Sequence, residues 1–262
     1  MTSSPDHEEI QMKIIWEAGL VHDVLDALNC LVSEARFQFL DGLIRVWVID
    51  PANVAGTFID LDPEENERIQ YYAVQPDGLR MGLNTQKLDE VMGYADADVP
   101  VQFEFGMKHN WAFNITTGQV DVDMGGIDPD SVRQDPDHPR LEDELPAGWI
   151  IDGSTLKDAV DLNDMFSDHT SISVEDHSVN WVASGDTDSG TYSLDESDGE
   201  VEFTKHPDEA VESMFSLDYF SDISKVLKGY DEIQVYSGQD FPVMLKTSLF
   251  DMMLAPRIDN TK

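Results

Sequence analysis

The chain has one cysteine, Cys30, in 262 residues, which excludes a disulfide framework. Cys30 lies in an apolar helical pattern with Val24, Leu25, Leu28, Leu31 and Val32, so it is expected to act as a small core hydrophobe. Basic residues are scarce. The 16 Lys and Arg stand against 53 Asp and Glu, a formal net charge of −37. No apolar run approaches the length that spans a bilayer, and the N-terminal MTSSPDHEEIQMK lacks the basic-then-apolar order of a signal peptide. These absences predict a cytoplasmic protein without a membrane partner, with a flexible leader over residues 1–11.

Acidity of this degree fits a disordered chain, a binder of basic partners, or a protein adapted to high salt. Apolar periodicity runs through most of the sequence, which argues against disorder. Acid is spread over every segment and not blocked into a tail, which favours a hydrated acidic surface of the halophilic kind.

Catalytic motifs are missing as well. There is no HExxH, GxSxG or GxGxxG, and no GxxxxGK followed by Ser or Thr. The stretch Asp186-Thr187-Asp188-Ser189-Gly190 begins like a calcium loop, but Thr191 and Ser197 stand where that loop requires glycine and glutamate. Asp121 and Asp123 alternate in GQVDVDM and can face one side of a strand. In so acidic a chain that pair reads first as a solvated sheet face, with magnesium ligation as the alternative. The expectation is a protein that is not an enzyme, with no cofactor and no metal site.

What the sequence does contain is a duplication. Residues 20–32 carry apolar side chains at helical spacing. A strand around Arg36 to Phe39, a turn at Asp41-Gly42 and an alternating strand over 43–48 follow. The order returns 134 positions later: a helix over 154–166 with Ser154 as N-cap, a strand over 171–174, a turn at Glu175-Asp176-His177, and a strand over 179–182. Trp47 and Trp181 occupy matching places. A helix over 85–94 and a strand over 99–105 likewise match a helix over 219–228 and a strand over 232–236. Short turns between successive strands imply antiparallel sheet, so the fold class is α+β. Two domains of one fold are expected, over 12–127 and 148–262. The proline-broken stretch 128–147 reads as their connector, with His138 as a solvated loop residue.

Particular strings carry a resemblance. They are SEARFQFLDGLIRVWVIDPANVA (33–55), SMFSLDYFSDISKVL (213–227), FPVMLKT (241–247) and LAPRI (254–258). With the duplicated layout, they resemble the sliding clamps of the proliferating cell nuclear antigen type. IDPDSVRQDP (127–136) and SDHTSISV (167–174) resemble the haloarchaeal branch in particular. The resemblance spans roughly residues 12–259.

It implies a head-to-tail ring, usually a homotrimer, with sheets outside and helices around a hole that holds duplex DNA. Such a ring is a processivity factor. It tethers DNA polymerase and other replication and repair proteins, and a clamp loader opens it. Partners insert a short peptide with apolar and aromatic anchors into one pocket. The residues here that match its walls are Ile49, Asn53 and Val54 in a turn, Pro139 and Leu141 in the connector, Ser216 and Pro242, and Met253, Ala255, Pro256 and Ile258 in the tail. Met253 stands where an aromatic residue is often found, and its adaptable thioether suits the same pocket.

The sequence also departs from that pattern. His22, Asp23, Asn29, Glu90, Gly93 and Asp161 occupy inner positions that are normally basic. Lys225 matches a basic position, and Lys87, Lys157 and Lys228 lie nearby, so these four are the expected DNA-facing residues of a weak, topological grip. The turn after 241–247 is short and the leader long, as in a divergent member carried by a virus of a halophile. Ring closure is expected between edge strands over 119–127 and 190–194, with Asp121, Asp123 and Asp195 making it salt-dependent. Two other readings remain: a monomeric clamp-like decoy that engages replication proteins without encircling DNA, and a metal-dependent enzyme using Asp121 and Asp123.

Overall fold

The computed structural model describes residues 10–257; leader positions 1–9 and the tail residue Ile258 lie outside the described residues. The chain divides into two compact units, residues 1–49 with 58–137, and residues 50–57 with 138–262.

The first unit contains β1 (Met12–Glu17), α1 (Ala18–Asn29), β2 (Glu34–Leu40), β3 (Leu43–Ile49), most of β4 (Ala55–Leu61), β5 (Ile69–Val74), β6 (Leu79–Asn84), α2 (Thr85–Met92), β7 (Pro100–Phe105), β8 (Phe113–Thr117) and β9 (Val120–Met124). Its strands run in the orders β5-β1-β7-β8-β9 and β4-β3-β2-β6. The second contains β10 (Ala147–Ile151), α3 (Gly153–Asp164), β11 (His169–Glu175), β12 (Ser178–Ser184), β13 (Ser189–Asp195), β14 (Glu202–Lys205), β15 (Val211–Ser216), α4 (Leu217–Leu227), β16 (Ile233–Ser237), β17 (Val243–Lys246) and β18 (Asp251–Leu254). Its orders are β14-β10-β16-β17-β18 and β13-β12-β11-β15.

The duplication read from the sequence is therefore one of topology. β1 lies between β5 and β7 as β10 lies between β14 and β16, and these pairings are antiparallel. β2 joins β3 and β6 as β11 joins β12 and β15. The fold is α+β, as expected.

Alternation explains the strands. β3 buries Ile44, Val46 and Val48 and leaves Arg45 and Trp47 half-exposed. On that outer face Arg45 grips Asp60 with two hydrogen bonds of 2.7 and 2.9 Å and lies 4.0 Å from the centre of the Trp47 ring. Aromatic edges fill the cores. Trp16 meets Phe103 and Phe103 meets Phe113 in the first unit, and Trp149 meets Trp181 in the second. The helices pack by one face each: Leu20, Val24 and Leu28 on α1, and Leu217, Phe220, Ile223 and Leu227 on α4.

Three expectations need correction. The N-cap of α3 is Asp152, not Ser154. The Asp152 carboxylate accepts from the Ser154 and Thr155 N–H groups, because an ionised acceptor outbids a hydroxyl two positions further along. Cys30 is half-buried, since α1 ends at Asn29 and leaves Cys30 as its C-cap, with Sγ turned to the Ala27 carbonyl. His138 is half-buried and not a solvated loop residue, because its Nε2 lies 3.3 Å from Asp251 Oδ2.

The start of the expected connector is fixed to the first unit. Ile127 bridges Gly82, Arg36 Nε donates to the Pro129 carbonyl at 3.0 Å, and Gln38 donates to Asp135 at 2.7 Å. Among the described residues, no helix is long and apolar enough to cross a membrane.

Candidate functional site

The candidate pocket residues converge mainly on the turn over 50–54 and on the tail that follows β18. Asp50 organises the turn from inside. Its side chain is buried, and Oδ1 accepts the Val54 and Ala55 N–H groups at 2.6 and 2.8 Å. Oδ2 accepts the Ala52 N–H and the Tyr219 hydroxyl, both at 2.8 Å. Burial pushes the Asp50 pKa up, but these donors outweigh it and hold the carboxyl below its ordinary value. The turn can then place Asn53 outward in the left-handed region, with φ of 59°, a conformation that asparagine tolerates better than most residues. Val54 follows, half-exposed.

The tail is tied to this turn by backbone. Ala255 N–H donates to the Val54 carbonyl at 2.8 Å, and Arg257 N–H donates to the Met214 carbonyl at 2.6 Å. Pro256, between them, has no N–H to offer and marks where the ladder stops. β18 buries Met252 and Leu254 and leaves Met253 half-exposed; Ala255 and Pro256 are half-exposed too. In the apolar C-terminus, alternate residues therefore belong to the core and the rest are surface.

The other residues group around the same elements. Val243 faces Leu254 across the β17–β18 pair, which places Pro242 at the end of that pair beside the tail. Ser216 is the N-cap position of α4 without a side-chain cap bond, and it sits opposite His169, which Arg257 contacts. Pro139 and Leu141 are half-buried on a segment fastened to β17 and β18. Asp251 lies near both His138 and Lys246, the latter at 3.0 Å, and Glu142 lies 3.2 Å from Lys246. Burial lowers the Lys246 pKa, but the two carboxylates overcome it and raise the net value. Ile49 ends β3 in the first unit, half-buried; Ile258 lies outside the described residues.

No family model matches the chain. The DNA polymerase sliding clamp of Methanococcoides burtonii is 32% identical over 257 residues, covering 93% of this chain and 97% of that one. The chain belongs to the DNA polymerase sliding clamp family. The Halobacterium salinarum sliding clamp is also 32% identical, covering 95% of this chain and 99% of its own. A solved structure of A. fulgidus PCNA, with the C-terminal region of FEN-1 bound, is 26% identical with a TM-score of 0.83 and covers 95% of this chain.

The four lysines expected at the clamp's inner face are placed unevenly. Lys157 is half-buried and paired with Asp161 one helical turn on. Lys225 is exposed and lies 2.7 Å from Asp222. Lys87 and Lys228 are exposed, on α2 and at the C-cap of α4. Asp121 and Asp123 do share one face of β9, as the alternation required. The Asn114 amide donates to both, at 2.8 and 2.9 Å. An amide donor shared by two carboxylates is a sheet-face arrangement.

Sequence reasoning missed Asp50, Tyr219 and Phe241. Phe241 is exposed next to Pro242, with its N–H bonded to Ser213 Oγ at 3.0 Å. The string Asp50-Pro51-Ala52-Asn53 was a usable signal for Asp50, because an aspartate before proline favours a side-chain-capped turn.

Proposed function

We propose that this chain works as a processivity clamp. It closes with two further copies into a ring around duplex DNA and docks DNA polymerase and other replication and repair proteins through the turn and tail. It performs no chemistry itself, and a loader must open the ring. The observation that carries the docking role is the Ala255–Val54 hydrogen bond, which aligns the half-exposed Val54, Met253, Ala255 and Pro256 in one strip. Phe241, Pro242, Pro139 and Leu141 are further exposed or half-exposed apolar residues that we assign to the same docking surface. Such a surface suits a short peptide with aliphatic and aromatic anchors. We further propose that 128–147 serves as the connector of domains over 12–127 and 148–262.

The ring reading is supported by the ends of two sheets. β9 and β13 are edge strands in their units, each with an open row of backbone donors and acceptors. A head-to-tail assembly pairs β9 of one copy with β13 of the next, and such a heterologous contact closes when its rotation permits. Lys87, Lys157, Lys225 and Lys228 then contribute a weak phosphate contact that topology makes sufficient.

Fluorescence anisotropy tests the docking site, with a labelled peptide copied from the C-terminal region of a flap endonuclease. Saturable binding is expected, weakened at least tenfold by Val54→Lys. No saturable binding in molar KCl, or equal binding by the variant, overturns the assignment of the strip.

A further inference from the structure

A cluster far from the turn and tail in the sequence has the donors of a transition-metal site. His177 lies in the turn between β11 and β12, Glu196 directly follows β13, and His206 directly follows β14. One ligand atom from each can be chosen so that all lie within 4.8 Å of one another. We propose that His177, Glu196 and His206 bind one zinc-class divalent ion, with water completing its shell.

The local geometry prepares the ligands. His206 Nδ1 lies 2.8 Å from the Asp176 carbonyl, which can only accept, so Nδ1 carries the proton and Nε2 keeps its lone pair. The Phe203 ring stacks on His206 at 4.9 Å and an angle of 11°, which fixes the imidazole plane. The Glu196 carboxylate is held by the Phe203 N–H on Oε1, and its Oε2 lies 2.6 Å from His177 Nδ1. Backbone adds to this frame, since Glu196 N–H donates to the His177 carbonyl at 3.0 Å. The two imidazole centres are 4.7 Å apart.

Tetrahedral metal–nitrogen bonds of about 2.1 Å hold neighbouring donors roughly 3.4 Å apart. Rotation of the two exposed histidines must close the widest pair, within 4.8 Å here, by roughly 1.4 Å at most. The ion would replace the proton shared by His177 and Glu196. Two imidazoles and one carboxylate select zinc, nickel, cobalt or copper over magnesium and calcium, which take oxygen ligands. Asp176 and Asp195 line the same cleft and add attraction for any cation without adding selectivity. A bound ion would fasten the β11–β12 turn to the end of β13, an edge of its sheet.

The test uses the full chain in molar KCl with excess Mg2+, so that diffuse binding to the acidic surface is screened and competed. Titration with Co2+, read by visible absorbance, and with Zn2+, read by calorimetry, is expected to give one ion per chain. His177→Ala and His206→Ala should each weaken binding at least tenfold, while His7→Ala and His138→Ala leave it unchanged. Unaltered circular dichroism would show that the variants fold. Absence of stoichiometric binding, or binding that survives the His177→Ala/His206→Ala double variant, overturns the proposal. So does equal displacement by Mg2+.

Discussion

The Tyr219 hydroxyl donates a 2.8 Å hydrogen bond to Asp50 Oδ2 and so joins the first turn of α4 to the turn that carries Asn53 and Val54. Asp50 is one acceptor for four donors, three of them backbone N–H groups. Tyr219→Phe removes one bond at a half-buried site and should cost about 1 kcal/mol. Asp50→Ala strands all four donors and should cost about 2–4 kcal/mol. Urea unfolding gives both values. Because the folded pKa of Asp50 is lowered, its stabilisation is complete above the ordinary carboxylate pKa and fades as pH falls through the lowered one. Peptide binding to the tail should weaken in both variants, more for Asp50→Ala.

Glu104 makes a sharper acid prediction in the first unit. Its side chain is 1% exposed and lies 2.8 Å from both Lys13 and Lys108, and 2.7 Å from His109 Nε2. Burial opposes its charge, but the hydrogen bonds from Lys108, Lys13 and His109 win and hold its pKa at about 2. A depressed carboxylate stabilises fully above its unfolded pKa. That stability, on the order of 3 kcal/mol, should disappear as pH falls from about 4.5 to about 2. Urea midpoints from pH 6 to pH 2.5 would show the decline. A Glu104→Gln chain, already weaker at neutral pH, should show a flatter one. Parallel curves for the two chains would refute the assignment.

The duplicated order of elements was legible because it rests on periodicity. Alternation in 43–48 and helical spacing in 20–32 survive in β3 and α1 whatever the partners are. Helix ends were less legible, since Asp152 and Ser154 compete for one cap and only geometry decides between them. The half-buried state of Cys30 follows from where α1 stops, and apolar spacing does not set that point. Asp50 and Tyr219 lie 169 positions apart, and no local spacing connects them. His177, Glu196 and His206 escaped for the same reason: three separate segments supply them. In the docking strip, resemblance supplied Val54 and Ala255, and only the folded backbone shows that they are bonded.

Close helix packing in the second unit rests on one glycine. A Cβ on Gly153 would lie 2.0 Å from the Leu227 carbonyl oxygen and 2.9 Å from that of Tyr230. Both obstacles are backbone, so α3 and the end of α4 must separate. Gly153→Ala should destabilise by about 3 kcal/mol, at the severe end of overpacking. Gly229→Ala, where nothing lies within 4 Å, should be close to neutral. Thermal unfolding of the two variants separates steric packing from a general intolerance of alanine in this region. Equal midpoints would mean that the helices shift freely and the contact is not limiting.

Salt should control assembly. β9 carries Asp121 and Asp123, both exposed, and β13 ends on Asp195. If these edges meet between copies, carboxylates approach carboxylates, within a chain of net charge −37. At molar salt the Debye length is about 3 Å, which screens that repulsion, whereas at ~0.01 M it is about 30 Å and the whole acidic surface repels. Three copies of a 29.4 kDa chain weigh about 88 kDa. Light scattering should report that mass in molar KCl and a single chain in dilute buffer. Asp121→Asn with Asp123→Asn should move the transition to lower salt, because it removes charge from one edge and leaves the backbone ladder intact. A trimer that persists unchanged in dilute buffer would reject electrostatic control of the edge. A monomer at both salt concentrations would instead favour a docking module that engages replication proteins without encircling DNA.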